Sequence, residues 1–262
     1  MAKSVTVITG ASGGIGEALA HLAAKAGRKL VLVARSAKGL KKVADAIARD
    51  GQARPETIAM DLGRAGAADR LAARLKKRRL SVSEIVNNAG YGLVGRTHTL
   101  DRAAQLGVVD LNVRALTDLT LRFLPEIVAA RGGVLNVAST AAFQPGPQMN
   151  AYYASKAYVL FFTEALHHEL KGRVRVTALC PGPTPTGFTE RANPGRAMRL
   201  SLLPQTSAAA VAEAGWRGFE RGKRVVIPGL VNKVGVFSTR LTPRPMLLAM
   251  VATLQANRRK AP

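Results

Sequence analysis

Tyr152 and Lys156 stand four residues apart in the run 151–156, and Ser139 lies thirteen positions before Tyr152, closing the apolar run 134–138. Four residues is about one helical turn, so a phenol and an ammonium at this spacing share a helix face. An ammonium beside a phenol favours the phenolate and lowers its pKa from roughly 10. That would let Tyr152 give or take a proton near neutral pH. Tyr153 lacks the four-residue spacing to Lys156. A serine delivered from a strand end can hold a carbonyl oxygen against the phenol, so the chemistry suggested is exchange between a carbonyl and an alcohol. Tyr-x-x-x-Lys alone arises by chance in many helices, and its weight here comes from what accompanies it.

The amino-terminal segment supplies a loop for a nucleotide. Residues 5–8 are a short β-branched run suited to a buried strand. Thr9-Gly-Ala-Ser-Gly-Gly-Ile-Gly16 follows, and then a segment rich in helix formers. Strand, glycine turn and helix together form the context of a dinucleotide fingerprint. Gly10 would allow the tight turn, Gly14 would let a pyrophosphate approach the backbone, and Gly16 would let the helix pack close to the strand. Ser12 and Ile15 stand in the same turn, whose helix end offers free N–H groups to phosphate. The second strand, 29–34, ends in Ala34 with Arg35 next. An acidic residue there would bind a ribose 2′-hydroxyl, whereas a guanidinium suits a 2′-phosphate. NADP(H) is therefore favoured over NAD(H), and Lys38 is placed to help.

Taken together these residues resemble the short-chain dehydrogenase/reductase family, in its single-domain branch. The matching pieces are residues 9–16, Asp61-Leu62, Asn87-Asn88-Ala89-Gly90, Asn112, Ser139, Tyr152 with Lys156, and Pro181-Gly182, in the family's order. The run 222–230 resembles DltE-type bacterial oxidoreductases. The resemblance implies that Asp61 and Leu62 meet the adenine, and that Asn88, Ala89 and Gly90 line the cofactor near its ribose. It implies that Asn112 holds a water linking Lys156 to solvent, Ser139 positions the substrate oxygen, and Tyr152 is the acid or base. Lys156 would also grip the nicotinamide ribose, Pro181 and Gly182 would border the nicotinamide, and Thr184 or Thr186 would reach its carboxamide or a phosphate. Gly13 departs from the basic residue of many NADP-preferring relatives, and Glu84 stands where Asp is usual. The family's dimer faces fall on the helices near 112–130 and 152–170, the second of which carries more apolar residues than one core face needs. A homodimer or homotetramer is the expected assembly.

The predicted order is strand 5–9, helix 14–26, strand 29–34, helix 37–50, strand 56–60, helix 65–78 and strand 84–88. Helices near 100–110 and 112–130 follow, then strand 133–138, helix 152–170, strand 174–180, helix 207–221 and strand 224–228. Such alternation implies an α/β fold, with the resemblance a Rossmann-like, doubly wound parallel sheet of about seven strands in three layers. Ligands bind beyond the carboxyl ends of such strands, where Asn87, Ser139 and Pro181 are expected. Pro-rich residues 183–204 read as a substrate lid. Tyr91, Leu93, Phe143, Met149 and Phe188 are expected to line a mainly apolar pocket for a small carbonyl or alcohol substrate.

With 262 residues and no linker, residues 1–262 read as one domain, ending in a basic segment near 229–262. The lone Cys180 excludes an internal disulfide and reads as packed core. No metal-ligand spacing is present. No signal peptide precedes Val5, and 246–254 is too short to span a bilayer, so a cytoplasmic location is expected, with a membrane periphery as the variant. The formal charge is +23, with residues 171–262 holding 16 basic and 3 acidic residues. A solvated basic surface, docking on an anionic membrane and binding of an anionic substrate or nucleic acid compete to explain it. No nucleic-acid motif accompanies the charge. An alternative to an enzyme is a nucleotide-binding, membrane-docked module with little turnover, but such a binder has no use for the Asn112, Ser139, Tyr152 and Lys156 set.

Overall fold

A computed structural model describes residues 2–187 and 205–259. Seven strands form one parallel sheet: β1 (Lys3–Thr9), β2 (Leu30–Ala34), β3 (Glu56–Ala59), β4 (Leu80–Asn87), β5 (Gly133–Val137), β6 (Arg175–Leu179) and β7 (Val225–Val226). Their spatial order is β3-β2-β1-β4-β5-β6-β7, so the sheet is wound in both directions from the β1/β4 boundary. The central strands are rich in β-branched and apolar residues because both faces of the sheet are covered. All five residues of β2 and all five of β5 are buried.

Helices α1 (Gly14–Lys25), α2 (Ala37–Arg49) and α7 (Ala208–Glu220) cover one face, through Leu19, Leu40, Trp216 and Phe219. Helices α3 (Ala67–Lys77), α5 (Leu116–Ala129) and α6 (Asn150–Glu169) cover the other, through Leu71, Leu119, Phe123 and Leu166. The two helices expected near 100–110 and 112–130 are continuous. Helix α4 (Arg102–Val109) runs into a π-helical turn at Asp110–Ala115 and on into α5. A π turn adds one residue, which rotates the apolar stripe by about 100°. The periodicity therefore loses phase although the chain does not bend back. Beyond β7 lie two helices absent from the predicted order, α8 (Leu230–Ser238) and α9 (Arg244–Arg259).

Glu84, which stands where aspartate is usual, is a buried carboxylate in β4. It accepts hydrogen bonds from Thr6 Oγ1 at 2.8 Å, from Arg28 Nε and Nη2 at 3.3 Å, and from Arg175 Nη2 at 2.6 Å. The two guanidinium groups lie over Trp216 and Phe219, 5.7 and 5.2 Å from the ring centroids. One carboxylate thus joins three strands and α7 at the end of the sheet away from the glycine turn. Among the described residues, removing it takes the carboxylate partner from Arg175 and leaves Arg28 with Glu220 alone. Glu84→Ala is expected to lower the unfolding free energy by about 3 kcal/mol, measured by urea denaturation, with ligand affinity unchanged.

Candidate active site

The glycine turn forms where β1 ends. Gly10 and Gly14 adopt φ of +64° and +60°, a region that favours glycine. A Cβ on Gly10 would lie 2.8 Å from Asn88 Nδ2, and one on Gly16 would overlap both that amide and the Gly10 carbonyl. Asn88 in turn donates its side-chain amide to the carbonyls of Thr9 and Gly10, each at 3.1 Å. Thr9 Oγ1 accepts from the backbone N–H groups of Asn88 and Ala89 at 3.0 Å. The turn and the end of β4 are therefore latched together. Gly14 faces outward, and a Cβ there would stand 3.0 Å from Thr186. The N-cap residue of α1 is Gly13, which has no side chain to cap the helix, so its first N–H groups suit an anion.

This turn opens into a cavity of about 1300 Å³. Of the residues expected to hold a dinucleotide, Gly10, Ser12, Gly14, Ile15, Arg35, Asp61, Leu62, Asn88, Ala89 and Gly90 are on its wall. So are Tyr152, Lys156, Pro181, Gly182, Thr184 and Thr186. Gly16 is not; it packs behind the turn, as its helix-packing role requires. The shape suits a nicotinamide dinucleotide: bare backbone at the turn, uncapped amides and an exposed cation where β2 ends. That cation is Arg35, which forms no ion pair among the described residues. Ser36, not Arg35, caps α2, accepting from Gly39 N at 3.0 Å. Lys38 is exposed and off the wall.

The proton-handling groups sit across the cavity. Lys156 is buried and donates to the Val137 carbonyl at 2.7 Å, with Nζ 5.9 Å from the Tyr152 ring centroid. Ser139, at the end of β5, accepts from Ala141 N at 3.1 Å and hydrogen-bonds the Tyr152 phenol. The expected lowering of the Tyr152 pKa is not found. Burial pushes it up to about 12, against the Ser139 hydrogen bond and with a smaller push from Tyr153. One flank of Tyr152 opens on the cavity. Burial likewise pushes Lys156 down to about 8. Four-residue spacing foresees the neighbouring charge but not the desolvation, and desolvation is the larger effect. The unliganded site therefore holds a neutral phenol, the form that donates a proton. Burial also pushes the Cys180 thiol up to about 12, keeping it inert and packed beside Ala138 and Val159.

Asn112 lies in the π turn, buried and off the cavity wall. Its amide donates to Tyr91 O and Ser155 Oγ, both at 2.9 Å, and its oxygen accepts from Tyr91 N at 3.1 Å. Both amide protons are thus committed, and a water link to Lys156 would have to use the remaining lone pair or a carbonyl of the turn. Gly90 stands between the two groups. A Cβ there would lie 3.0 Å from Asn112 Oδ1 and 3.5 Å from Lys156 Nζ.

Several functional residues carry no signal of their own in the sequence. Asn87 Nδ2 donates to Thr120 Oγ1 at 3.0 Å and Asn136 Oδ1 at 2.9 Å, and Asn136 Nδ2 donates to Thr163 Oγ1 at 2.9 Å. This buried ladder fixes α5, which continues from the π turn of Asn112, and α6, which carries Tyr152 and Lys156, against β4 and β5. Helices α8 and α9 close the substrate side through Asn232, Leu247, Met250, Val251 and Gln255. Gln255 Nε2 donates to Tyr153 Oη at 2.9 Å, tying α9 to α6. The apolar pair at 247 and 251, one turn apart, was a readable signal for α9. Tyr91 and Met149 line the cavity as expected; Leu93 and Phe143 do not. Phe143 packs instead on the cluster around Val159 and Cys180. Phe188 and the 188–204 part of the expected lid lie outside the described residues.

Residues 4–197 match the family model described as short chain dehydrogenase. A sulfoacetaldehyde reductase from Chromohalobacter salexigens is 35% identical over 211 residues, 79% of this chain and 82% of that protein. A short-chain dehydrogenase from Sphingobium yanoikuyae in complex with NADPH superposes with a TM-score of 0.78 at 30% identity, over 91% of this chain and 94% of that one. A short-chain dehydrogenase/reductase from Burkholderia phymatum in complex with NAD gives a TM-score of 0.78 at 26% identity, over 90% and 92%.

The buried Lys156 has a consequence for stability. The folded chain releases this proton near pH 8 and the unfolded chain only near 10.5. Below pH 8 both forms are protonated and the folded state carries the full burial cost; the cost falls as pH rises between those values. Lys156→Met should raise the unfolding free energy by about 2 kcal/mol near neutral pH, after loss of the Val137 hydrogen bond. The advantage should shrink through that pH window, as urea denaturation across it will measure.

Proposed function

The chain belongs to the short-chain dehydrogenase family and is an NAD(P)-dependent oxidoreductase, and from that premise we propose that it reduces the carbonyl of an apolar substrate with NADP(H). The observation that carries this reading is the Tyr152 phenol. It is held neutral and hydrogen-bonded to Ser139, on the wall of a cavity that has the glycine turn at one end and apolar helices at the other.

A bound reduced dinucleotide supplies the hydride. Tyr152 Oη gives its proton to the substrate oxygen as the alcohol forms. Ser139 Oγ donates a hydrogen bond to the same oxygen and fixes it against the phenol. The Lys156 ammonium, buried beside the ring, stabilises the phenolate left behind. Asn112 and Gly90 border the route by which that proton is restored. A phenol raised toward 12 is still far more acidic than an alcohol, so proton donation runs downhill. The reverse reaction needs the phenolate and is favoured by alkaline pH.

Met149, Leu247, Met250 and Val251 make the substrate end apolar. The sulfoacetaldehyde reductase acts, by its name, on an anionic aldehyde; among the described residues no Lys or Arg of α8 or α9 lines that end here, which supports an uncharged ketone or aldehyde. Arg35, in no ion pair among the described residues and beside Ser12 and Ser36 on the wall, supports NADP(H) through its fit to a 2′-phosphate. Exposed Leu121 and Phe161, on α5 and α6, support a homo-oligomer through these helices.

Two measurements test the reading. Tyr152→Phe should reduce turnover of a ketone by at least about 10²-fold, while a fluorescence titration shows NADPH still bound; near-normal turnover would refute the assignment. Arg35→Ala should weaken NADPH binding by about tenfold or more and leave NADH binding unchanged, the signature of a charge-assisted contact to phosphate. Equal loss for both would place Arg35 outside cofactor selection.

A further inference from the structure

Helices α8 and α9 have already buried one side. Val236, Leu247 and Val251 face inward, the last two against Met149 and Tyr153. A second apolar stripe remains outside. Leu230 and Leu241 are 75% and 74% exposed, and Val234, Phe237, Met246 and Met250 are each more than half exposed. Residues 230, 234 and 237 recur at three- and four-residue intervals, so they share a face of α8, and Leu241 follows in the turn beyond it. Leu230, Val234 and Met250 also line the cavity, so the patch surrounds its mouth.

Charge identifies the partner. Residues 221–262 contain nine Lys and Arg and no Asp or Glu. Lys233, Arg240 and Arg244 are exposed beside the stripe and form no ion pair among the described residues. A second copy of the chain seated here by twofold symmetry would set these cations against their own equivalents. An anionic lipid surface accommodates both features: apolar side chains enter the acyl boundary while the cations meet headgroup phosphates. Among the described residues no helix is long and apolar enough to cross a membrane, so the pair would lie on the surface.

We propose that α8 and α9 dock this protein on an anionic bilayer, with Phe237, Leu241 and Met246 inserted, Lys233, Arg240 and Arg244 at the phosphates, and the cavity mouth held against the lipid. The proposal is independent of turnover, and its test reads binding alone. The full chain is sedimented with phosphatidylcholine vesicles with and without about one-third phosphatidylglycerol. The wild type should bind the anionic vesicles, more weakly as salt rises. A Phe237→Glu, Leu241→Glu, Met246→Glu triple variant should lose about tenfold or more in partitioning. A Lys233→Gln, Arg240→Gln, Arg244→Gln variant should lose the preference for phosphatidylglycerol. These positions are exposed and off the cavity wall, so the fold is expected to persist, as circular dichroism will check. No binding by the wild type would overturn the proposal, as would binding that neither variant weakens. So would absence of binding together with a molecular mass that falls in the apolar variant, which would assign the patch to a second copy.

Discussion

The contact between the glycine turn and Asn88 is the constraint on which the site rests. Parallel strands that diverge from the β1/β4 boundary leave a crevice beyond their carboxyl ends. Backbone there has lost its strand partners and needs others. Thr9 and Asn88 provide them, each bonding to the other's segment. The fit leaves no space for a Cβ at Gly10 or Gly16. The glycines are thus determined from two sides: by the ligand they would admit, and by a neighbouring strand end that is already in place.

Across the crevice, function is set by burial against charge. The Lys156 ammonium in a dry site is destabilised, and the phenol next to it resists ionisation for the same reason. The protein holds both with ordinary hydrogen bonds, to the Val137 carbonyl and to Ser139. The resulting pair is poised: neither group is at its solution pKa, and a change in occupancy of the cavity changes the solvation of both. The polar ladder from Thr120 to Thr163 holds α6, the helix that bears them, and its neighbour α5 at fixed depth over the sheet. The only side-chain oxygen of that ladder left without a partner is Asn87 Oδ1.

The carboxy-terminal helices complete a cavity that the sheet alone leaves open. Asn232 of α8 packs on Gly182, and Gln255 of α9 bonds Tyr153, the residue next to the catalytic candidate. The same helices and the turn between them carry the exposed apolar stripe and the cations Lys233, Arg240 and Arg244. Closing the cavity and presenting a surface are therefore tasks of one helix pair, which share Leu230, Val234 and Met250, and movement of that pair would alter both.

The sequence alone was enough for the parallel α/β architecture, because buried strands must be apolar and alternating helices must cover them. It was also enough for the glycine turn and for the Tyr152, Lys156 and Ser139 set, because those signals are local or lie at fixed spacing. The continuous α4–α5 helix escaped it, since a π turn breaks the periodicity. Glu84, Thr9, Asn136, Asn232 and Gln255 escaped it too, since their partners are far away in the chain. Most of all, spacing gave the wrong direction for the Tyr152 pKa. A neighbouring charge can be read from four residues, but solvation depends on everything packed around the group, and only the folded structure decides that.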